Sequence, residues 1–501
     1  MNKLKKTLTT FAVIFLCQSC LFEGLLNENL GLATEGQESS LCSANSIASP
    51  TFLPIQGDGT ATTPYIICNV FQLQLMGNVD FEGNVNILTN NASLDGYFEL
   101  GTNINALATT GWTGGPNGNG FIPIGALDTD YYGISVTSGF AGSFNGNGFT
   151  ISGLYMNRTR GTVGMFGSIA PFAVVTNLNL TGINITQNDT GSGQFTGGLA
   201  GRLFSTIEDI YVQGSISGDR DTGGVIGNAY LAHFNRVASN TLVNGAGINV
   251  GGLVGNASYT DFDDSQSMGN TIGASLNTGG FAGNLLETIV NHSFSSGNVQ
   301  GVSRVGGFVG STEFVIISFS HSSGDVIGDD RVGGFEGNSS EALIRDSYTS
   351  SNVTGSTRVG GFTGDANEGT IENSFASGDV IGDDSGNMVA AFAGTASSQD
   401  IFNSFAIGQV QNNNVTNIAY GIVGVQDGSP DIQNVYWFNA GGNATQCEFT
   451  GVQDCNTLGA PSAISDFYSS THVVYAGSTP PWDFTSVWQE QPGALPTLRA
   501  P

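Results

Sequence analysis

Val305-Gly306-Gly307-Phe308-Val309-Gly310 returns as Val332-Gly333-Gly334-Phe335-Glu336-Gly337, and again as Val359-Gly360-Gly361-Phe362-Thr363-Gly364. The glycine doublets begin at Gly197, Gly223, Gly251, Gly279, Gly306, Gly333 and Gly360, at intervals of 26, 28, 28, 27, 27 and 27 residues. Degenerate copies flank them at Gly164-Met165-Phe166-Gly167, Ala391-Phe392-Ala393-Gly394 and Gly421-Ile422-Val423-Gly424. A second element keeps the same register. It reads Ser293-Phe294-Ser295-Ser296-Gly297-Asn298-Val299, with counterparts starting at Ser320, Ser347, Ser374 and Ser404 and closing on Val326, Val353, Val380 and Val410. Two elements locked at one period over this length define a repeat architecture.

The residue after each doublet is Leu199, Val225, Leu253, Phe281, Phe308, Phe335 or Phe362, always apolar. The next is Ala200, Ile226, Val254, Ala282, Val309, Glu336 or Thr363, which tolerates charge. Strand alternation places the first inside and the second outside. The glycines mark close backbone approach or positive φ. About 27 residues per turn accommodates three short strands joined by bends, and parallel crossovers are nearly always right-handed. The expected fold is therefore all-β, a parallel and right-handed β-helix or β-solenoid with turns of ~27 residues, capped at both ends. Stacked turns align the phenylalanines in an interior ladder, and roughly ten turns at about 4.8 Å give a rod on the order of 50 Å.

Composition agrees. Of 501 residues 74 are Gly and 32 Phe, whereas only 11% are charged, a balance that favours strands and turns over helices. The formal charge of −28 would repel phosphate-rich partners, so nucleic-acid binding is not expected.

Met1 to Cys20 reads as a targeting segment. Lys3, Lys5 and Lys6 precede the short apolar run Leu8 to Leu16, which is too short to span a bilayer. Leu16-Cys17-Gln18-Ser19-Cys20 resembles a lipoprotein signal, in which Cys20 is diacylated and becomes the new N-terminus. An ordinary secretory signal is the alternative. Lipidation would leave Cys42, Cys68, Cys447 and Cys455, an even number consistent with two disulfides in an exported chain, and no thiol for catalysis. Leu21 after Cys20 supplies no Asp retention signal, which favours the outer membrane or cell surface of a Gram-negative cell.

Residues 1–19 are then the signal peptide, and 20–41 the lipidated cysteine and a flexible tether. Residues 42–160 form the first part of the β-helix with its cap, 161–425 the repeats, and 426–501 a closing segment with a local disulfide.

Gly-Gly-Leu-Ala-Gly at 197–201, Gly-Gly-Leu-Val-Gly at 251–255 and Gly-Gly-Phe-Val-Gly at 306–310 resemble the GLUG motif of bacterial surface and adhesin-like proteins. Tyr97-Phe98-Glu99-Leu100, Phe121-Ile122-Pro123-Ile124-Gly125 and the stretch from Phe140 to Ile151 are similar to the segment preceding the repeats in that family. Val435-Tyr436-Trp437, Trp482-Asp483-Phe484 and Leu495-Pro496-Thr497-Leu498 resemble its closing segment. The resemblance covers about residues 64–498 and implies an exported solenoid. It implies no particular activity.

No catalytic motif is present. His233, His292, His321 and His472 lie outside any zinc pattern and read as surface or turn residues. Asp329-Asp330 and Asp383-Asp384 occupy one loop two turns apart, with Asp219 and Asp221 in a similar place. Paired carboxylates suit Ca²⁺ or glycosidic cleavage. The preferred reading is a surface charge ladder. Arg304, Arg331 and Arg358 each precede a doublet by two residues, and Asp329 and Asp330 would neutralise them. No cofactor is expected, with Ca²⁺ as the alternative, and the identity of any metal stays open. Trp112, Trp437, Trp482 and Trp488 read as cap residues rather than a sugar platform.

The leading functional reading is a surface lipoprotein, monomeric and held to the membrane by its N-terminal lipid. It would bind a host or matrix glycoprotein or a polysaccharide through the solenoid. A β-helix polysaccharide lyase or hydrolase and a purely structural envelope protein are the alternatives.

Overall fold

The computed structural model describes residues 41–42, 55–76, 94–113, 118–125, 139–159, 161–188, 194–383, 388–413, 419–428, 430–444, 446–448, 455–457, 464–478 and 480–500. Among the described residues forty-seven strands join in one continuous sheet wound as a solenoid. Ile226 lies beside Val254, Val309 beside Glu336 and Thr363 beside Ala393, offsets of 28, 27 and 30 residues. Pairing between turns is parallel, except that Gly118–Gly120 runs antiparallel to Tyr155–Arg158.

The doublets are glycine because their own turn and the next one leave no room for a Cβ. One built on Gly306 would lie 2.0 Å from the Val309 carbonyl oxygen, and one on Gly307 2.0 Å from that of Gly334. Neither needs positive φ; close approach alone excludes a side chain. Between the strands Ser303–Gly306 and Val309–Glu313 the chain bends at Gly307 and Phe308.

That bend breaks the expected alternation. Phe308 and Val309 both face the core, and so do the matching pairs in the other turns, including Phe335 and Glu336. The position read as outward is therefore inward, and Glu336 is fully buried. Two consecutive side chains point inward because the chain turns between them, which a period of two cannot represent.

Phe281, Phe308, Phe335, Phe362 and Phe392 stack down the interior with centroids 4.7–5.0 Å apart and rings within 15° of parallel. Each contributes about 1.5–3 kcal/mol by burial and about 0.5–1.5 more by ring contact.

The serine of the second element resolves a corner. Ser265, Ser293, Ser320, Ser347, Ser374 and Ser404 are buried one above another. The Ser320 hydroxyl donates to the Ser318 carbonyl at 2.9 Å and accepts the Ser293 N–H at 3.3 Å, and the pattern recurs in the following turns. One hydroxyl thus satisfies two backbone groups where the ladder breaks. The residue before each serine is left-handed, from Asp264, His292, Phe319 and Asp346 to Asn373 and Asn403; the last two chain onward to Asn434, which precedes Val435 and donates to Asn403 at 2.9 Å. Asn accepts this conformation at little cost.

At the N-terminal side, Asn69 caps the helix Val70–Leu75, its Oδ1 accepting from the N–H groups of Phe71 and Gln72. The Gln74 side chain imitates a strand, donating to the Ile122 carbonyl and accepting its N–H. Buried Arg158 binds the carbonyls of Gly118, Gly120 and Phe121, and loss of hydration lowers its guanidinium to about 10.

The closing segment, including the hairpin of Trp488–Gln491 with Ala494–Leu498, lies along the flank of several turns. Its Phe467, Tyr475, Trp482 and Trp488 cover an exterior ladder of Tyr348, Phe375, Phe405 and Tyr436. Trp482 and Trp488 therefore seal a side wall, where a plug for the open end was expected.

Candidate binding surface

From the Gly223 doublet onward, turns leave the strand after the doublet through a second corner, which also carries a left-handed residue. Down the rod these are Leu231, Tyr259, Glu287, Phe314, Glu341, Glu368 and Ser398, all with φ between 48° and 55°. Phe172, on a Pro171-Phe172 bulge of the same corner, has φ 68°. Up to Phe314 these residues are bulky and apolar except Glu287, and they face solvent: Phe172 is 97% exposed, Leu231 64%, Phe314 48% and Tyr259 42%.

Two costs coincide at these positions. An ordinary side chain in the left-handed region is disfavoured by about 1–2 kcal/mol, and apolar area is left in water. Asn373 and Asn403 at the serine corner show that the same conformation can be held without either cost. A strained, exposed hydrophobe marks a site of function before it marks a site of stability.

The ridge borders two grooves. One of about 600 Å³ is lined by Phe172, Phe204, Tyr230, Leu231, Tyr259 and Asp261. Tyr230 and Tyr259 meet edge to face at 5.5 Å, and both are partly exposed. The second, of about 490 Å³, lies between Glu287, Ile289, Phe314 and Ile316. The Tyr259 hydroxyl donates to Glu287 at 2.9 Å, which ties the grooves together and raises the Tyr259 phenol above its ordinary value. Beyond Phe314 the corner turns polar with Glu341, Glu368 and Ser398, so the apolar strip has a defined end.

The expected charge ladder has a different set of partners. Arg304, Arg331 and Arg358 stand in register with φ of 53–55°. Asp330 binds Arg331 and Arg358 at 2.8 Å each. The other carboxylate is Asp365, 2.8 Å from Arg331 and 3.8 Å from Arg358. Asp329 is exposed, and among the described residues it forms no ion pair; its carbonyl accepts the N–H groups of Ser356 and Thr357. Adjacency in sequence suggested Asp329, whereas the register of the next turn supplies Asp365.

Asp221 is buried at the first position of the doublet corner. Desolvation raises its carboxyl to about 6 against hydrogen bonds from Asn249 and Asn228 that lower it. Glu336 sits in the apolar core beside Thr312 and Ser339, and desolvation raises it to about 7. Among the described residues no group of three or more His, Cys, Asp or Glu could hold a metal ion.

His321 lies within the exterior ladder between Phe294 and Tyr348, at 5.0 and 4.8 Å, and burial lowers its imidazole to about 4. His292 stacks on Phe319 at 4.9 Å. Leu199, Val225, Leu253, Phe281, Phe308, Phe335 and Phe362 are fully buried. Cys42 and Cys68 are joined. Cys447 and Cys455 lie on the strands Gln446–Glu448 and Cys455–Thr457, their side chains outside the described residues, as are Cys20 and Asp384. No helix among the described residues is long and apolar enough to cross a membrane.

The ridge was not anticipated. The signal was a corner position, 27 or 28 residues apart, at which Leu231, Tyr259 and Phe314 share apolarity but no other chemistry.

No family model matches the chain. It is 30% identical over 175 residues to Halomucin of Haloquadratum walsbyi, covering 34% of this chain and 2% of that protein. It is 31% identical over 158 residues to the "Putative Gly-rich membrane protein" of Evansella cellulosilytica, covering 31% of this chain and 15% of that one. The chain thus spans a small part of these curated relatives. A solved structure from Bacteroides ovatus, the "putative immunoglobulin A1 protease", aligns over 88% of this chain and 94% of its own at 15% identity, with a TM-score of 0.27.

Proposed function

We propose that this protein is a binding scaffold of the cell envelope that docks a macromolecule along its apolar corner. The exposed, left-handed Phe172, Leu231, Tyr259 and Phe314 carry this reading, since they spend both strain and hydration on display. A rigid rod suits such docking, because the Phe ladder and serine ladder fix the corner while the outward residues vary from turn to turn. The partner fitting grooves with exposed aromatic side chains and flanking carboxylates is a matrix or host glycoprotein, met through neutral, amphipathic surface.

The glycine doublets support membership of the GLUG-type surface proteins, and the segment ending at Cys20 supports a lipid anchor at the outer membrane or cell surface. The names of the two relatives, one a mucin and one a membrane protein, favour the same compartment.

The test is binding of the purified full chain without its leader to a panel of matrix glycoproteins, beside a Leu231→Asn, Phe314→Asn variant. Saturable binding that the variant loses supports the proposal. Silence across the panel, or equal binding by the variant, overturns it.

A further inference from the structure

The wider groove beside the corner carries charge as well as apolar surface. Phe172, Tyr230, Leu231 and Tyr259 line it together with Asp261, and all five side chains are exposed. The rings run in series. Phe204 meets Tyr230 at 6.5 Å and 68°, and Tyr230 meets Tyr259 at 5.5 Å and 77°. Tyr259 in turn donates its hydroxyl to the exposed Glu287. The groove is thus a row of electron-rich rings with one carboxylate in its lining and another beside its last ring.

Such rings attract a cation over their faces, and the fold already uses this at the inner end of the row. The Arg202 guanidinium lies 4.9 Å from the centroid of Phe204 and 5.0 Å from that of Phe195. Among the described residues no Lys or Arg stands over Tyr230 or Tyr259. The nearby carboxylate of Asp263 is engaged, with His233 at 3.8 Å and the Asn291 amide donating at 3.2 Å. Asp261 differs: among the described residues its carboxylate has neither a hydrogen bond nor an ion pair, and it faces solvent.

We propose that this groove takes one basic side chain, an arginine or lysine set in the otherwise neutral surface of a protein partner. The inference rests on the docking reading above and names the chemistry that the groove selects. The methylene stem would lie on Phe172 and Leu231 while the charged head meets Tyr230, Tyr259 and Asp261. A chain of net charge −28 draws such a cation. The same charge repels the phosphate that accompanies a choline headgroup, which places a basic side chain above a lipid surface.

The experiment is calorimetric titration of the full chain without its leader. The probes are the peptide acetyl-Leu-Ser-Arg-Ser-Leu-amide, its isosteric neutral counterpart with citrulline for arginine, and phosphatidylcholine vesicles. The arginine peptide should bind saturably, and the citrulline peptide about tenfold more weakly or worse. Tyr230→Leu keeps the apolar area and removes the ring, whereas Asp261→Asn keeps the shape and removes the charge. Each should weaken the arginine peptide about threefold or more and leave the citrulline peptide unchanged. Equal binding of the two peptides, binding indifferent to both substitutions, or preference for the vesicles would overturn the inference. Silence of the arginine peptide at millimolar concentration would overturn it too. None of these outcomes touches the docking reading, which stands or falls on the matrix panel and the Leu231→Asn, Phe314→Asn variant.

Discussion

The indole N–H of Trp488 donates to Oδ1 of Asp346 at 3.3 Å across 142 residues of sequence. It pins the closing segment to the left-handed corner of a turn in the middle of the repeats. Around it, Trp488 touches Tyr348 and Phe375, and Trp482 touches Phe405, so a side wall of aromatic rings is sealed by the chain's own end.

Removing that pin should loosen the segment and spare the rod. Trp488→Ala is expected to cost about 3–5 kcal/mol of local stability. Hydrogen exchange should quicken across residues 464–500 and stay slow in the interior strands, such as Val326–Ile327. Uniform quickening along the rod would show instead that the segment and the solenoid unfold as one unit.

The ion-pair assignment separates two aspartates that sequence reading treats alike. Asp365→Asn leaves Arg331 and Arg358 short of a carboxylate in a partly covered site and should destabilise by about 1–2 kcal/mol. Asp329→Asn should change the melting temperature by almost nothing. Equal losses from the two substitutions would refute the partners described.

Glu336 makes stability depend on pH. Its carboxyl stands at about 7 in the fold against an ordinary 4.5, so the folded state holds the proton more tightly than the unfolded chain. This site's contribution is greatest below pH 4.5, falls as pH rises towards 7, and is level above that, a change of about 3 kcal/mol. Glu336→Gln keeps the shape and removes the charge. It should raise the melting temperature at pH 8 and leave it unchanged at pH 4, and urea titrations of both chains at the two pH values measure the difference.

The interior ladder should behave as a packed core. Phe308→Ala is expected to cost about 3–5 kcal/mol. Gly307→Ala should also be severe, because the new methyl would meet the Gly334 carbonyl. Denaturant midpoints of the single variants check both; a Gly307→Ala protein as stable as the parent would contradict the described closeness of the turns.

The interior was legible because one position after each doublet carries a single chemistry, from Leu199 to Phe362, and stacking forces like onto like. Glu336 was misread as outward because alternation assumes a straight strand, and the bend at Gly334 and Phe335 turns two side chains inward. Asp365 was missed because its partner Arg331 is 34 residues away, a full turn plus the length of a strand. The apolar corner was hidden by Glu287, which interrupts Tyr259 and Phe314 in sequence but binds Tyr259 in space. The flank position of Trp488 had no local signal, because long-range docking leaves no period.

The docking assignment is tested most directly by replacing Phe172, Leu231, Tyr259 and Phe314 together with asparagine, then measuring matrix-glycoprotein binding and thermal unfolding on the same sample. Asparagine tolerates the left-handed corner and removes exposed apolar area. The variant should therefore lose binding while melting at a higher temperature than the parent. Binding retained at parental strength, or a lower melting temperature, would contradict a corner held in strain for a partner.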